Sequence, residues 1–288
     1  MSNAVGFIGL GNIGAPMARR LLQVSGGLVV HDVSPDATAP FAEAGASVAA
    51  TPAELAAQTG VVCVVVQNEQ QVGEVLSGEQ GLLAGAGGDL VVAVHSTISA
   101  EGAEALAAEG ARHGVAVVDA PVSGGAMGAA DGTLAVMVGG ADDAVDRCRP
   151  VFERFASLVA HMGPTGAGTR TKIARNLITF ASFAAAGEAQ RLAAAADLDL
   201  GMLGEVVRHS DRVTGGPGAV MLRPAAGEMA TDDGLRPIFE HTASLGGKDL
   251  ELAAQLGREL GVDTPFAELA SAWLRAALGL EPPPGSES

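Results

Sequence analysis

The chain has 288 residues, 48% of them hydrophobic and 17% charged, which allows two domains with a sizeable core and argues against disorder across its body. Its 33 acidic against 17 basic residues leave a net charge of −16, which repels a phosphate backbone and excludes nucleic acid as a partner. No apolar run reaches the roughly 18 residues of a membrane span, and the start MSNAVGFIGLG lacks the basic region of a cleavable signal, so a cytoplasmic protein without a membrane partner is expected.

From Ala4 to about Gly163, runs rich in Val and Ile alternate with Ala-rich helical segments: AVGFIG, GLVVHD, SVAA, VVCVVV, DLVVAVHS, GVAVVDA, TLAVMVGG and LVAHMG. Continuous apolar strands spaced by helices predict a parallel sheet buried on both faces. That is a Rossmann-type, doubly wound α/β domain, assigned to residues 1–165. Cys63 in the fourth run and Cys148 in a helical segment show neither CxxC nor Cys/His spacing, so both are read as packing residues and no metal site is expected.

The first strand leads into VGFIGLGNIGAPMARRLL, where Gly9, Gly11 and Gly14 stand as G-x-G-x-x-G between a strand and a helix. The first glycine permits a tight turn, the second lets backbone approach a pyrophosphate, and the third lets helix and strand pack closely. Asn12 and Ile13 lie within this turn, where the helix N-terminus offers N–H groups to phosphates. The second strand ends in Asp32, eighteen residues after Gly14. A carboxylate there can accept hydrogen bonds from the adenosine ribose and would repel a 2′-phosphate, which favours NAD over NADP as cofactor. The plainer alternative is a solvated strand end. His31 has no partner at ligand spacing and is read as a surface residue.

The sixth apolar run is followed by DAPVSGGAMGAADGTLAVMVGG, which puts Ser123, Gly124 and Gly125 at the carboxyl end of a strand, where α/β sheets bind ligands. A serine hydroxyl and consecutive glycine N–H groups suit a carboxylate. A flexible surface loop is the competing reading.

Beyond GPTGAGT the strand pattern stops. Residues 169–197 lack proline and carry only Gly187 in an Ala-rich stretch, which predicts a long helix opening an all-α domain over 166–280. Further helices are expected, broken at Gly215-Gly216-Pro217-Gly218 and at Pro224, and the tail EPPPGSES (281–288) is expected to be disordered.

Counting along the chain gives 15 arginines and only two lysines, Lys172 and Lys248. Arginine keeps its proton at any useful pH, whereas a lysine desolvated in a cleft can pass one back and forth. In a helix Lys172 and Asn176 are i and i+4, neighbours on one face. Chance survival of two lysines in an arginine-favouring sequence is the alternative.

The segments GFIGLGNIGAPMA, HSTIS, DAPVSGGAMGAADGTL, GAGTRTKIARN and GGKDLELA occur in the order and approximate spacing of the β-hydroxyacid dehydrogenases, the group that includes 3-hydroxyisobutyrate dehydrogenase and tartronate semialdehyde reductase. The resemblance runs from Val5 to about Leu280. It implies that Lys172 is the general acid in reduction and the general base in oxidation, with Asn176 as its companion. It also implies that Ser123, Gly124 and Gly125 hold the substrate carboxylate and that Thr97 lies near the nicotinamide and its ribose. Phe239 and Lys248, with Asp249 following, resemble residues that the helical domain brings over the cofactor cleft, Lys248 serving substrate as well.

Three departures stand beside these matches. Val66-Gln67-Asn68 replaces a common Leu-Pro-Asn, Arg175 replaces the first of two asparagines, and a Pro-Gly-Phe wording before the second lysine is missing. The implied function is reversible hydride transfer between NAD and a small 3-hydroxy acid, by a homodimer or homotetramer. A semialdehyde or imine reductase on the same scaffold and a non-catalytic NAD-sensing protein are the alternatives.

Overall fold

The computed structural model describes residues 4–222 and 227–285, so the expected break at Pro224 and the end of the tail, 286–288, lie outside the described residues. The chain divides into two compact units, the first ending at Arg175 and the second beginning at Asn176.

In the first unit the strands are β1 (Val5–Ile8), β2 (Leu28–His31), β3 (Ser47–Val48), β4 (Val61–Val64), β5 (Val91–Val94), β6 (Ala116–Asp119), β7 (Val122–Ser123), β8 (Leu134–Gly139) and β9 (Ala156–Gly163). They lie in the order β3-β2-β1-β4-β5-β6-β8-β7, with β9 on β8. The helices around them are α1 (Gly14–Arg19), α2 (Pro35–Glu43), α3 (Pro52–Ala56), α4 (Glu69–Ser77), α5 (Leu82–Gly85), α6 (Ala100–Arg112), α7 (Gly125–Asp131) and α8 (Asp142–Phe152).

From β3 to β6 every pairing is parallel, as the apolar runs predict. Neighbouring strand residues face opposite ways, and here both ways are core. Phe7 and Cys63 enter a cluster with Met17, Leu21, Phe152 and Phe155, while Ile8, Val62 and Val64 enter a second with Leu55, Leu76 and Leu82. The Rossmann-type fold class is therefore present.

The last part of the sheet departs from an all-parallel arrangement. Strand β8 runs antiparallel to β6 and β7, and only β9 is parallel to β8. The physical reason is the connection. Chain leaving β6 goes directly into the two-residue β7 and the short α7, which turn it back, instead of crossing the sheet through a long helix. Strand β7 carries no apolar run of its own and was not among the expected strands.

Helix α9 (Ala167–Ala195) starts in the first unit and supplies the second from Asn176 onward, and Gly187 does not interrupt it. The second unit continues with α10 (Leu200–Thr214), a 3-10 turn at Gly216–Val220, α11 (Arg236–Leu260) and α12 (Pro265–Ala277). Gly215 ends α10 with φ of 88°, a left-handed conformation that glycine adopts freely. A small core joins Met229, Phe239, Ala243, Leu278 and Leu280. The buried Glu188 of α9 caps α12 by accepting from Phe266 N and Ala267 N, each at 2.9 Å. At the start of the expected tail, Glu281 accepts from Arg275 Nε at 3.0 Å. No described helix is long and apolar enough to cross a membrane.

Candidate active site

The glycine turn sits where β1 ends, beside the point at which strand order reverses between β1 and β4. Gly9 has φ of +92°, and a Cβ there would fall 2.0 Å from Val65 O. Gly14 opens α1, where a Cβ would lie 1.9 Å from Gly9 O, so helix and turn touch through backbone. Gly11 differs from both: nothing lies within 4 Å of the position its Cβ would take. The backbone is bare on that side, as a pyrophosphate requires. Asn12 is exposed, and Ile13 is half-buried at the N-cap of α1, packed on the core.

Asp32 closes this turn from β2. Its Oδ2 accepts from Leu10 N at 2.7 Å and its Oδ1 from Ser34 N at 2.9 Å. Carboxylate oxygens have further lone pairs, so these bonds hold the side chain in place without using its capacity. A cavity of about 560 Å3 opens here, its lining including Gly9, Gly11, Asp32, Val66, Gln67 and Glu74. His31 also lines it, half-buried with Nδ1 3.0 Å from Ala49 O, and is not the plain surface residue its spacing suggested.

The segment Val66-Gln67-Asn68 is held by a partner that sequence spacing does not reveal. Ser96 Oγ accepts from Val66 N at 2.9 Å and donates to Val66 O at 2.7 Å. Gln67 N donates to Gln71 Oε1 at 2.9 Å, and Asn68 caps α4 by accepting from Gln71 N at 2.9 Å. Thr97 follows Ser96 beyond the end of β5 and is exposed. Behind it, His95 is fully buried, with Nδ1 2.7 Å from Ala120 O and its ring edge-on to Phe152 and Phe155. Burial pushes this imidazole down to about 4, while its bond to Ala120 acts in the opposite direction. It is neutral near pH 7.

Ser123 stands in β7 paired with Ala135, and Gly124 and Gly125 follow with φ of 131° and 65°. The expected loop is thus a two-residue strand leading into α7. Both glycines are exposed and Ser123 is half-buried.

Lys172 lies in the second turn of α9, half-buried. Burial of its amine, and next the nearby Arg175 guanidinium, hold the ammonium below the ordinary lysine range. Asn176 is one turn further along the same helix and is also half-buried. In the second unit, Phe239 is 3% exposed inside that unit's own core, and Lys248 is exposed on α11 with Nζ 3.1 Å from Asp249 Oδ1. Core packing accounts for Phe239. Cys63 and Cys148 are free and buried, which raises both thiols, Cys148 to about 12. No group of three or more His, Cys, Asp or Glu placed to hold a metal ion occurs among the described residues.

A strand order of 3-2-1-4-5-6 with a glycine turn and an acidic β2 end at the switch point defines a dinucleotide-binding protein. Residues 4–163 match the family model for the NAD binding domain of 6-phosphogluconate dehydrogenase, and residues 166–282 match that for NAD-binding of NADP-dependent 3-hydroxyisobutyrate dehydrogenase. The chain is 51% identical to an oxidoreductase of Mycobacterium tuberculosis over 279 residues, covering 97% of this chain and 94% of that one. It is 35% identical to the NAD-dependent L-serine dehydrogenase of Pseudomonas aeruginosa, covering 95% and 92%. Identity to the 3-hydroxyisobutyrate dehydrogenase of the same organism is also 35%, covering 92% and 89%. A solved oxidoreductase of Mycobacterium avium superposes with a TM-score of 0.91 at 47% identity, covering 96% and 98%. The chain belongs to the 3-hydroxyisobutyrate dehydrogenase family of oxidoreductases, the β-hydroxyacid dehydrogenases that the sequence motifs resemble.

Proposed function

We propose that this protein catalyses reversible, NAD-linked oxidation of a small 3-hydroxy acid, with Lys172 as the group that takes and returns the proton. The observation that carries this reading is Lys172 itself: one of two lysines, half-buried in the opening turns of α9, its ammonium disfavoured by burial, one helical turn before Asn176. The two Pseudomonas relatives are named for L-serine and 3-hydroxyisobutyrate, which share a carboxylate and a hydroxyl on the third carbon. That shared pattern is the substrate class proposed here.

In oxidation a hydride leaves the carbinol carbon and a proton leaves its hydroxyl. Neutral Lys172 Nζ accepts that proton and, in the reverse direction, its ammonium donates it back. Ser123 and the N–H groups of Gly124 and Gly125 anchor the substrate carboxylate, Asn176, one helical turn from Lys172, orients the hydroxyl, and Thr97 serves the cofactor. When bound, the nicotinamide supplies the hydride acceptor. Choice of NAD over NADP rests on charge. Among the described residues, the lining of the cavity at the glycine turn includes the carboxylates of Asp32 and Glu74 and no lysine or arginine, so a 2′-phosphate would meet repulsion there.

Association of identical copies belongs to the same reading. Helix α10 has no buried residue, and α9 exposes Leu177, Phe180 and Phe183, apolar surface that a second copy would cover.

The test is a parallel screen of 3-hydroxyisobutyrate, serine, threonate, glycerate and 4-hydroxybutyrate with NAD and NADP, in wild type and Lys172→Ala. Turnover of at least one 3-hydroxy acid with NAD is expected, falling about 10²- to 10⁴-fold in the variant while calorimetric NAD affinity persists. Near wild-type turnover by Lys172→Ala contradicts the role of the lysine, and a preference for NADP contradicts the reading of Asp32.

A further inference from the structure

Asp119 ends β6 and is 2% exposed. Its Oδ1 accepts from Gly166 N at 2.7 Å, and its Oδ2 accepts from Thr169 N at 2.6 Å. These donors belong to the turn before α9 and to its first turn, where a helix cannot satisfy its own N–H groups. A carboxylate also answers the positive end of the helix. Helices are usually capped by a residue immediately before them, but this cap comes from 47 and 50 positions away. Two glycines make room for it. A Cβ on Gly139 would lie 2.4 Å from Asp119 Oδ1, and one on Gly168 would lie 2.7 Å from Asp119 O and 2.3 Å from Met137 O. One buried side chain thus joins β6, β8 and the start of α9.

Both ends of this tie lead to proposed chemistry. Lys172 follows Thr169 by three residues, and Ser123 follows Asp119 by four. We propose that Asp119 is a positioning residue that sets the height and rotation of the first turns of α9 against the end of β6, and so places Lys172 Nζ relative to the Ser123–Gly125 anchor. The proposal rests on Lys172 being the proton carrier. Backbone donors bonded to a buried carboxylate give a stiffer reference than loop packing, because releasing either one leaves an unpaired N–H inside the protein. Small displacements of a reacting group are costly, on the order of 10²-fold for about 1 Å.

The experiment is a double-mutant cycle of Asp119→Asn with Lys172→Ala, assayed for 3-hydroxy acid oxidation, the lysine variant at high enzyme concentration. The carboxamide keeps the shape of Asp119 but turns an N–H₂ toward one of the two backbone donors. In the wild-type background, kcat is expected to fall about tenfold to a hundredfold, with calorimetric NAD affinity unchanged within about twofold. In the Lys172→Ala background the same change should cost nothing further, since the group it positions is gone. An equal loss in both backgrounds would overturn the proposal, because a purely structural tie is indifferent to residue 172. So would a wild-type kcat in Asp119→Asn. Asp119→Glu, which keeps the charge and moves the oxygens by one methylene, runs the same cycle if the Asn protein does not fold. A Lys172→Ala protein with wild-type turnover sinks the lysine reading and this proposal with it, whereas an inactive Lys172→Ala beside a normal Asp119→Asn sinks this proposal alone.

Discussion

Arg175 stands three residues after Lys172 on the same helix, and its positive charge works against the lysine's proton. On the proposed role of Lys172, oxidation needs the neutral amine, so the rate should rise as pH passes through the lysine's titration. Replacing Arg175 by Asn removes a like charge and lets the amine hold its proton to higher pH. The rising limb of kcat/KM against pH should therefore move upward, and an unmoved or lowered midpoint would show that the guanidinium has no such effect. His95 gives a stability prediction of its own. Its folded value of about 4 lies below the ordinary 6.5, so the unfolded chain takes up the proton first as pH falls. The stability that depends on its neutral form is complete above about pH 6.5 and is lost as pH drops toward 4, in total on the order of 3 kcal/mol. Urea unfolding near pH 7 and near pH 5 should show about 2 kcal/mol of this loss in wild type, and His95→Asn should show a smaller one.

At the scale of elements, the unit that matters most is strand β1, its glycine turn and helix α1. Gly14→Ala pushes a methyl into Gly9 O, and the backbone must shift to admit it. About 1–3 kcal/mol of stability should be lost together with NAD affinity. Gly11→Ala meets open space, so its melting should stay within about 0.5 kcal/mol of wild type while NAD binding weakens from crowding at the phosphates. Comparing thermal melts with calorimetric affinity separates the two, and equal melts would contradict the packing role of Gly14. This turn was legible because its demands are local: a spacing of glycines between an apolar strand and a helix states the backbone conformation directly. The Lys172–Asn176 pair was legible for the same reason, one helical turn being a fixed count of residues. Ser96, which clamps Val66, was not, because a serine thirty residues away carries no periodic signal. The reversal of β8 also escaped an apolar pattern, since parallel and antiparallel core strands look alike until their connection is seen.

For the whole molecule, the question is what covers the helical surface. Met202, Val206 and Val213 of α10 are 57%, 59% and 74% exposed, although the helix is amphipathic and ought to bury one side. A second copy is the expected cover, and light scattering should give a mass of at least two chains. Val206→Glu should lower that mass or weaken association on dilution, and a wild-type protein that is monomeric at micromolar concentration would refute the expectation. With a net charge of −16, the expected association should be sensitive to salt, screening favouring assembly.

The sequence by itself determined the elements whose rules are short-ranged. Apolar runs of strand length marked a sheet buried on both faces, a glycine triplet marked a phosphate-binding turn, and a proline-free alanine-rich stretch marked the long α9. Ordered motifs then marked the family. Tertiary structure alone decided what each polar side chain meets once buried. It put Asp119 beneath the start of α9, His95 edge-on against two phenylalanine rings, Asp32 on Leu10 N, and Phe239 in a core of its own unit. The reason is distance along the chain. Hydrophobic period and turn chemistry act over a few residues, whereas a buried carboxylate is satisfied by whichever donors the completed packing brings within about 3 Å.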